Sequence, residues 1–297
     1  MLKGSLVALV TPFDQSNRVD FASLKRLIEF HVAEGSNGLV IAGTTGESAT
    51  LETHEHVELV ARAVEIAAGR LPILAGTGSN STAQTIKLSV AVQDTGIDGY
   101  LVVVPYYNKP MQEGMYRHFS AVADAVENPI MLYNVPGRTV ADLKPDTVAR
   151  LARHDNIFAI KEATGDIERM LEIQALVDED FGLFSGDDFT ALGFIEQGGH
   201  GVVTVSGNVV PAKMAELCRL AAAGRHDEAR AIDDTLQPLN AALFAESNPI
   251  PVKWAVNRMG LIPAGIRLPL TQYSTSYHEQ MLSAMSGAGV ELVGDAA

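Results

Sequence analysis

A single cysteine, Cys218, stands in the 297 residues, so no internal disulfide can form and the core alone must hold the fold. It falls in the helix-like run 211–223 and reads as a buried, unreactive thiol. Cations are scarce as well: 22 lysines and arginines face 36 aspartates and glutamates, for a formal net charge of -14. Nucleic acids and acidic membranes are polyanions that such a chain repels at long range, so neither is expected as a partner. Small anionic substrates would need local cations. No apolar run approaches the roughly 20 residues that span a bilayer. The opening Met1-Leu2-Lys3-Gly4-Ser5-Leu6-Val7-Ala8-Leu9-Val10 pairs a cation with a short apolar stretch but lacks a small-residue cleavage site. Thr11-Pro12-Phe13-Asp14 then reads as the end of a first strand rather than of a signal peptide. Low-complexity tracts and flexible linkers are missing too. What remains, 47% hydrophobic and 20% charged residues, is the composition of a soluble globular protein, expected in the cytoplasm.

Short apolar runs alternate with amphipathic segments as far as about residue 224. Strand patterns fall at 5–10, 38–42, 72–75, 100–104, 130–133, 157–160, 182–184 and 201–205. Helical patterns run between them, among others at 21–33, 54–68, 82–95 and 167–177. Strand then helix, eight times over, predicts an α/β fold, the (β/α)8 TIM barrel. A doubly wound open sheet would alternate in the same way, and only the count of eight favours closure. Beyond residue 224 the patterns at 225–244, 251–259 and 275–286 are helical with no strand between them. This divides the chain into a catalytic barrel over 1–224 and a helical C-terminal domain over 225–297, whose tail from 287 has weak periodicity and is expected to be partly ordered or frayed.

The stretch Ile157-Phe158-Ala159-Ile160-Lys161-Glu162 reads as a short buried strand that ends on a lysine. Isolating an ammonium from water costs several kcal/mol, which pushes a lysine so placed towards its neutral, nucleophilic form. Such an amine can form a Schiff base with a carbonyl substrate. Glu162 need not neutralise it, because adjacent strand residues point to opposite faces. The alternative is a strand-end lysine whose stem packs while its head reaches solvent. Of the eight lysines, Lys3 precedes a strand, Lys109 and Lys144 lie in loops, and Lys25, Lys87, Lys213 and Lys253 fall in helical patterns. Only Lys161 is placed for imine chemistry.

Strand C-termini of a barrel share one mouth, which turns scattered residues into a constellation. Tyr133, ending the fifth strand, can move protons beside the amine; equally, it can pack its ring and bond through its hydroxyl. Gly43-Thr44-Thr45-Gly46-Glu47-Ser48 follows the second strand with two hydroxyls and flexible N–H groups, suited to a small carboxylate. Helix capping is the bland reading there, although the clear helix begins only near Thr53, with a cap over 53–56. Arg138 follows the fifth strand in Tyr133-Asn134-Val135-Pro136-Gly137-Arg138-Thr139 and can grip a carboxylate with two N–H bonds, or simply lie exposed in a loop. Gly76-Thr77-Gly78 lacks the third glycine and the lysine of a phosphate loop, and Asn80, Ser81 or Thr82 more simply caps the next helix. His54-Glu55-His56 sets two histidines two apart, which on a helix diverge, so no metal site is expected.

Four motifs together resemble the pyruvate-dependent class I aldolase family that contains N-acetylneuraminate lyase and dihydrodipicolinate synthase. They are Gly-Thr-Thr-Gly-Glu at 43–47, Tyr-Asn-Val-Pro-Gly-Arg at 133–138, Ile-Lys-Glu-Ala at 160–163 and Asn-Pro-Ile-Pro-Val-Lys at 248–253. The synthase branch matches more closely, because its arginine for the aldehyde substrate's carboxylate resembles Arg138. The resemblance implies a Lys161 imine with pyruvate, and a proton relay of Thr44, Tyr133 and a Tyr107 lent across a subunit interface. It also implies that Thr45 holds the pyruvate carboxylate and that Gly186 and Val203 line the pocket through their backbones. Aspartate semialdehyde is the second substrate implied, within lysine (diaminopimelate) biosynthesis, with a homotetramer built as a dimer of dimers and no metal or organic cofactor. Ser48, Ala49, His56, Asn80 and Tyr106 resemble a lysine-effector site, while Thr53 and Gln84 depart from its usual histidine and glutamate. That loss of a carboxylate is expected to weaken lysine binding. The runner-up is another pyruvate-imine aldolase or dehydratase, acting on N-acetylneuraminate or a keto-deoxy sugar acid; the rival from another class is a non-catalytic barrel that binds a keto acid.

Overall fold

The computed structural model describes residues 2–292, so the end of the expected C-terminal tail, 293–297, lies outside the described residues. Eight strands, β1 Gly4–Ala8, β2 Gly38–Ile41, β3 Ile73–Gly76, β4 Gly99–Val103, β5 Ile130–Asn134, β6 Ile157–Glu162, β7 Gly182–Ser185 and β8 Gly201–Thr204, pair in sequence order. β8 pairs in parallel with β1, Val203 opposite Leu6, and closes the barrel. The eightfold alternation therefore resolves as a (β/α)8 barrel and not an open sheet.

Helices α1 Phe21–Ala33, α2 Thr53–Ala67, α3 Thr82–Gln93 and α4 Gln112–Ala125 follow the first four strands. Next come α5 Pro136–Thr139, α6 Pro145–Leu151, α7 Ile167–Gln174, α8 Ala191–Glu196 and α9 Pro211–Ala222. Each buries one stripe: in α1 it is Leu24, Leu27, Ile28 and His31, the i, i+3, i+4, i+7 spacing of a helix face. Starts are set by local chemistry. Asp20 caps α1 by accepting from the Ala22 and Ser23 N–H groups, both at 3.1 Å. Ser81 caps α3. At α2 the cap is Glu52, whose N–H donates to the Glu55 carboxylate at 3.0 Å, so the start lies just before the expected 53–56.

Strand alternation splits the apolar residues into two clusters. Leu6, Ala8, Val40, Leu74, Leu101, Met131, Tyr133, Val135, Ala159, Phe184 and Val203 fill the lumen, while their neighbours along each strand pack under the helices. α10 His226–Leu243, α11 Ile250–Arg258 and α12 His278–Gly287 follow the barrel, and Leu236, Leu239, Val252 and Met281 join the outer core. Cys218 is buried in α9, where burial pushes its thiol up to about 12 and keeps it inert. No helix among the described residues is long and apolar enough to cross a membrane.

β6 differs from expectation. It runs through Lys161 and Glu162, because both polar residues continue the ladder, Lys161 against Tyr133 and Phe184, Glu162 against Asn134 and Ser185. An irregularity lies upstream: Ile130 pairs with Ile157 but Met131 with Ala159, leaving Phe158 as an extra residue. Phe184 is fully buried at the centre of the lumen cluster. Phe184→Ala should cost about 3–5 kcal/mol, measured as a lowered urea midpoint, with no loss if the lumen were loosely packed.

Candidate active site

The barrel wall brings Lys161 and Tyr133 together by register. They are direct partners on β5 and β6, both facing the lumen, and the Lys161 Nζ sits 4.3 Å from the centroid of the Tyr133 ring. Lys161 is only 5% exposed. Among the described residues it makes no hydrogen bond and no carboxylate lies within ion-pairing distance of it. Its amine lies over the face of that ring. Gly186, on the turn after β7, leaves room for the lysine stem: a Cβ there would lie 2.6 Å from the Ala163 Cβ and 2.8 Å from the Lys161 Cε. Val203 lies on β8 in the same lumen cluster. The turn after β8 is pinned by buried Asp188, whose Oδ2 accepts the Val205 and Ser206 N–H groups at 2.9 Å each.

Glu162 points the other way, as strand alternation requires, and is buried outside the lumen. Burial raises its pKa, while donors at Asn134 and Thr164 oppose the shift. Next to it, burial tends to raise Asp142, but hydrogen bonds from Arg169, Lys144 and Asn134 prevail and hold that carboxyl well below the usual range. Stability linked to Asp142 is therefore present at neutral pH and is lost as the pH falls into the acid range.

A cavity of about 710 Å³ opens over the mouth. Thr44 and Arg138 line it, and so do Ser48, Ala49, His56 and Tyr106, along with the departing residues Thr53 and Gln84. Asn80 does not, although its carbonyl accepts from the Asn108 amide at 2.8 Å. Lys161 and Tyr133 do not contribute to that lining either. Burial lowers His56 to about 4, so it is neutral, whereas His54 is exposed on the other side of α2, as their spacing predicts. Tyr107 stands apart from every other candidate: it is 88% exposed, at a φ of 74°.

Residues from the far end of the chain organise this mouth, and sequence reasoning missed their part. Asn248 is buried; its Nδ2 donates to Thr45 Oγ1 at 3.0 Å, and its backbone carbonyl accepts from the exposed Arg138 Nη2 at 3.3 Å. With the amide donating to its oxygen, the Thr45 hydroxyl keeps its own hydrogen for an acceptor such as a carboxylate. Glu47, at a φ of 55° on the same loop, is buried and paired with Lys253 of α11. The Arg267 N–H donates to its other oxygen at 3.1 Å. Burial lowers Lys253 to about 8, although the Glu47 carboxylate opposes the shift, so the lysine is mostly charged at neutral pH. The available signal was a glutamate in a buried glycine-rich loop, which needs a cation somewhere in the chain.

Comparison with known proteins gives a consistent picture. A family model described as the dihydrodipicolinate synthetase family matches residues 1–288. The 4-hydroxy-tetrahydrodipicolinate synthase of Azoarcus sp. (strain BH72) is 53% identical over 291 residues, covering 98% of this chain and 100% of the relative. The enzyme of that name from Pseudomonas aeruginosa is 53% identical over 290 residues, 98% of this chain and 99% of its own. Among solved structures, dihydrodipicolinate synthase from Acinetobacter baumannii complexed with pyruvate superposes with a TM-score of 0.96 at 46% identity, covering 98% of this chain and 100% of that one.

Removing one partner of a buried ion pair strands the other charge. Lys253→Met should therefore destabilise the fold by about 3–5 kcal/mol, and adding Glu47→Gln should cost less than the sum of the two single changes. Urea denaturation of the three variants checks this; strict additivity would mean the pair is not coupled.

Proposed function

This chain belongs to the dihydrodipicolinate synthetase family, and on that footing we propose that it condenses pyruvate, held as a Lys161 Schiff base, with aspartate 4-semialdehyde. The product is 4-hydroxy-tetrahydrodipicolinate, in lysine (diaminopimelate) biosynthesis. The observation that carries this reading is a buried lysine amine packed on a tyrosine ring at the mouth of a closed barrel, with no carboxylate beside it.

In this mechanism the Lys161 nitrogen adds to the pyruvate carbonyl, and the carbinolamine loses its oxygen as water to leave an imine. Each step moves a proton, and Tyr133 and Thr44 are the groups on this chain to relay it. The loop hydroxyl of Thr45, oriented by Asn248, holds the pyruvate carboxylate. Gly186 and Val203 shape the floor through their backbones. Loss of a methyl proton gives the enamine, whose carbon attacks the aldehyde. The amino group of the semialdehyde then adds to the imine carbon, closes the ring and expels Lys161 as free amine. Arg138, exposed at the cavity edge, is the cation for the semialdehyde carboxylate in a chain otherwise rich in negative charge.

Tyr107 enters this scheme only from outside. Its 88% exposure, on a strained loop residue, suits a side chain that completes the relay of a neighbouring protomer, so the site reads as completed by Tyr107 of the partner subunit. The assembly we propose is a cytoplasmic homotetramer, a dimer of dimers. Residues 1–224 carry the chemistry, and the helices that follow brace the mouth through Asn248 and Lys253. The cavity shared by Ser48, Ala49, His56 and Tyr106 is the candidate effector site, with Asn80 at its margin. Because Gln84 offers no charge to an ammonium, lysine should bind weakly there.

Coupled turnover of pyruvate with aspartate semialdehyde, against N-acetylneuraminate and keto-deoxy sugar acids as alternatives, tests the assignment; preference for a sugar acid would overturn it. Arg138→Ala should lower kcat/KM for the semialdehyde by about 100-fold, on the order of 2–3 kcal/mol for a charge-assisted contact, while imine formation with pyruvate changes little. Equal loss in both half-reactions would contradict the role given to Arg138. Titrating lysine should leave most activity at concentrations equal to those of the substrates; strong inhibition at low concentration would show that the effector site is intact.

A further inference from the structure

Directly behind the Tyr133–Lys161 pair lies a second pair that the reaction never touches. β5 and β6 continue one residue further in register, so Asn134 meets Glu162 on the outer side of the barrel wall. Both are buried, at 0% and 2% exposure. The Asn134 Nδ2 donates to Glu162 Oε2 and to Asp142 Oδ1, each at 3.0 Å. Its Oδ1 accepts the Leu143 N–H at 2.9 Å, which fixes the amide orientation. The other oxygen of Glu162 accepts the Thr164 N–H at 2.8 Å. Asp142 is gripped in turn by Arg169 at 2.8 and 3.2 Å.

The ladder holds β6 on both edges, but its register against β5 is not continuous. Phe158 is inserted upstream, and a slip by one residue would turn Glu162 into the lumen and Lys161 out of it. Lys161 has no hydrogen bond of its own to resist that slip. The side chains that add to the ladder's resistance lie on the opposite face, where a slipped strand would leave Asn134 and the Thr164 N–H without their acceptor.

We infer that the Asn134–Glu162 hydrogen bond is a staple across β5 and β6 that sets Lys161 opposite Tyr133, making Asn134 and Glu162 positioning residues for imine formation. This deepens the pyruvate-imine reading and rests on it. Donor geometry explains why a carboxylate is needed. Two N–H groups converge on Glu162 from different sides; a carboxylate accepts both, whereas a carboxamide must turn its own NH2 on one of them.

The test uses the full chain with Glu162→Gln and with Asn134→Ala. Either single change should lower kcat/KM for pyruvate at least tenfold and kcat/KM for the semialdehyde less than threefold. Simple loss of folded protein would lower both parameters alike, so equal losses that track the folded fraction by circular dichroism would overturn the inference. If Glu162→Gln does not fold, Asn134→Ala carries the test, since it leaves the Thr164 bond in place. Should the unaltered chain itself fail to turn over pyruvate with the semialdehyde, the functional reading falls and takes the staple with it; turnover by the unaltered chain that both variants match would sink the staple alone.

Discussion

A lysine amine held in the lumen against a tyrosine ring is the constraint from which the rest of this structure follows. An ammonium in that place has little water and no carboxylate within ion-pairing distance to offset its burial, and the ring face offers at most a few kcal/mol through its quadrupole. Such an arrangement makes little sense as a stabilising contact. It makes sense for a nucleophile that a carbonyl compound consumes. Around it the lumen is apolar up to Ala159 and Met131 and polar only at the rim, so the barrel supplies a dry floor and a wet mouth at the two ends of the same strands.

The mouth is stiff because its polar groups are paired in depth. The loop 43–47 cannot drift without breaking the Thr45–Asn248 bond and the Glu47–Lys253 ion pair, both of which reach about 200 residues along the chain. Arg267 adds a bidentate grip on Glu55 at 2.6 and 2.8 Å and stacks over Phe13, tying α2 and the end of the first loop to the same corner. Thr11 donates to the Gly46 carbonyl at 2.7 Å from the strand side. The C-terminal segment thus acts on the mouth from behind: Asn248, in the turn before α11, and Lys253 on it fix where the Thr45 hydroxyl and the Glu47 carboxylate stand. Function and stability are coupled in this corner, since buried charges kept for orientation cost folding energy that apolar residues would not.

Much of this was legible in the sequence, for identifiable reasons. Eight short apolar runs alternating with helical patterns point to a barrel through their count, and Lys161 stands out because a cation ending a buried strand is anomalous. The extent of β6 was not legible: Lys161 and Glu162 look like the end of a strand to any polarity rule, and only the partners on both faces of the wall allow the ladder to continue. Tyr107 was named only through the family resemblance, since no local pattern marks an exposed tyrosine that, on the reading above, works on another chain. Lys253 looked like an ordinary helical lysine, and Asn248 was visible only as part of a motif. Their significance lies in contacts that close loops of about 200 residues, which no local pattern encodes.

The central claim is that one particular amine captures pyruvate covalently. Treating the protein with pyruvate and borohydride, then mapping the reduced adduct by peptide mass spectrometry, addresses it most directly. The account predicts a single labelled peptide, the one containing Lys161, with labelling abolished in Lys161→Ala. A label on Lys253 or another lysine, or none at all in protein that turns over pyruvate, would contradict it.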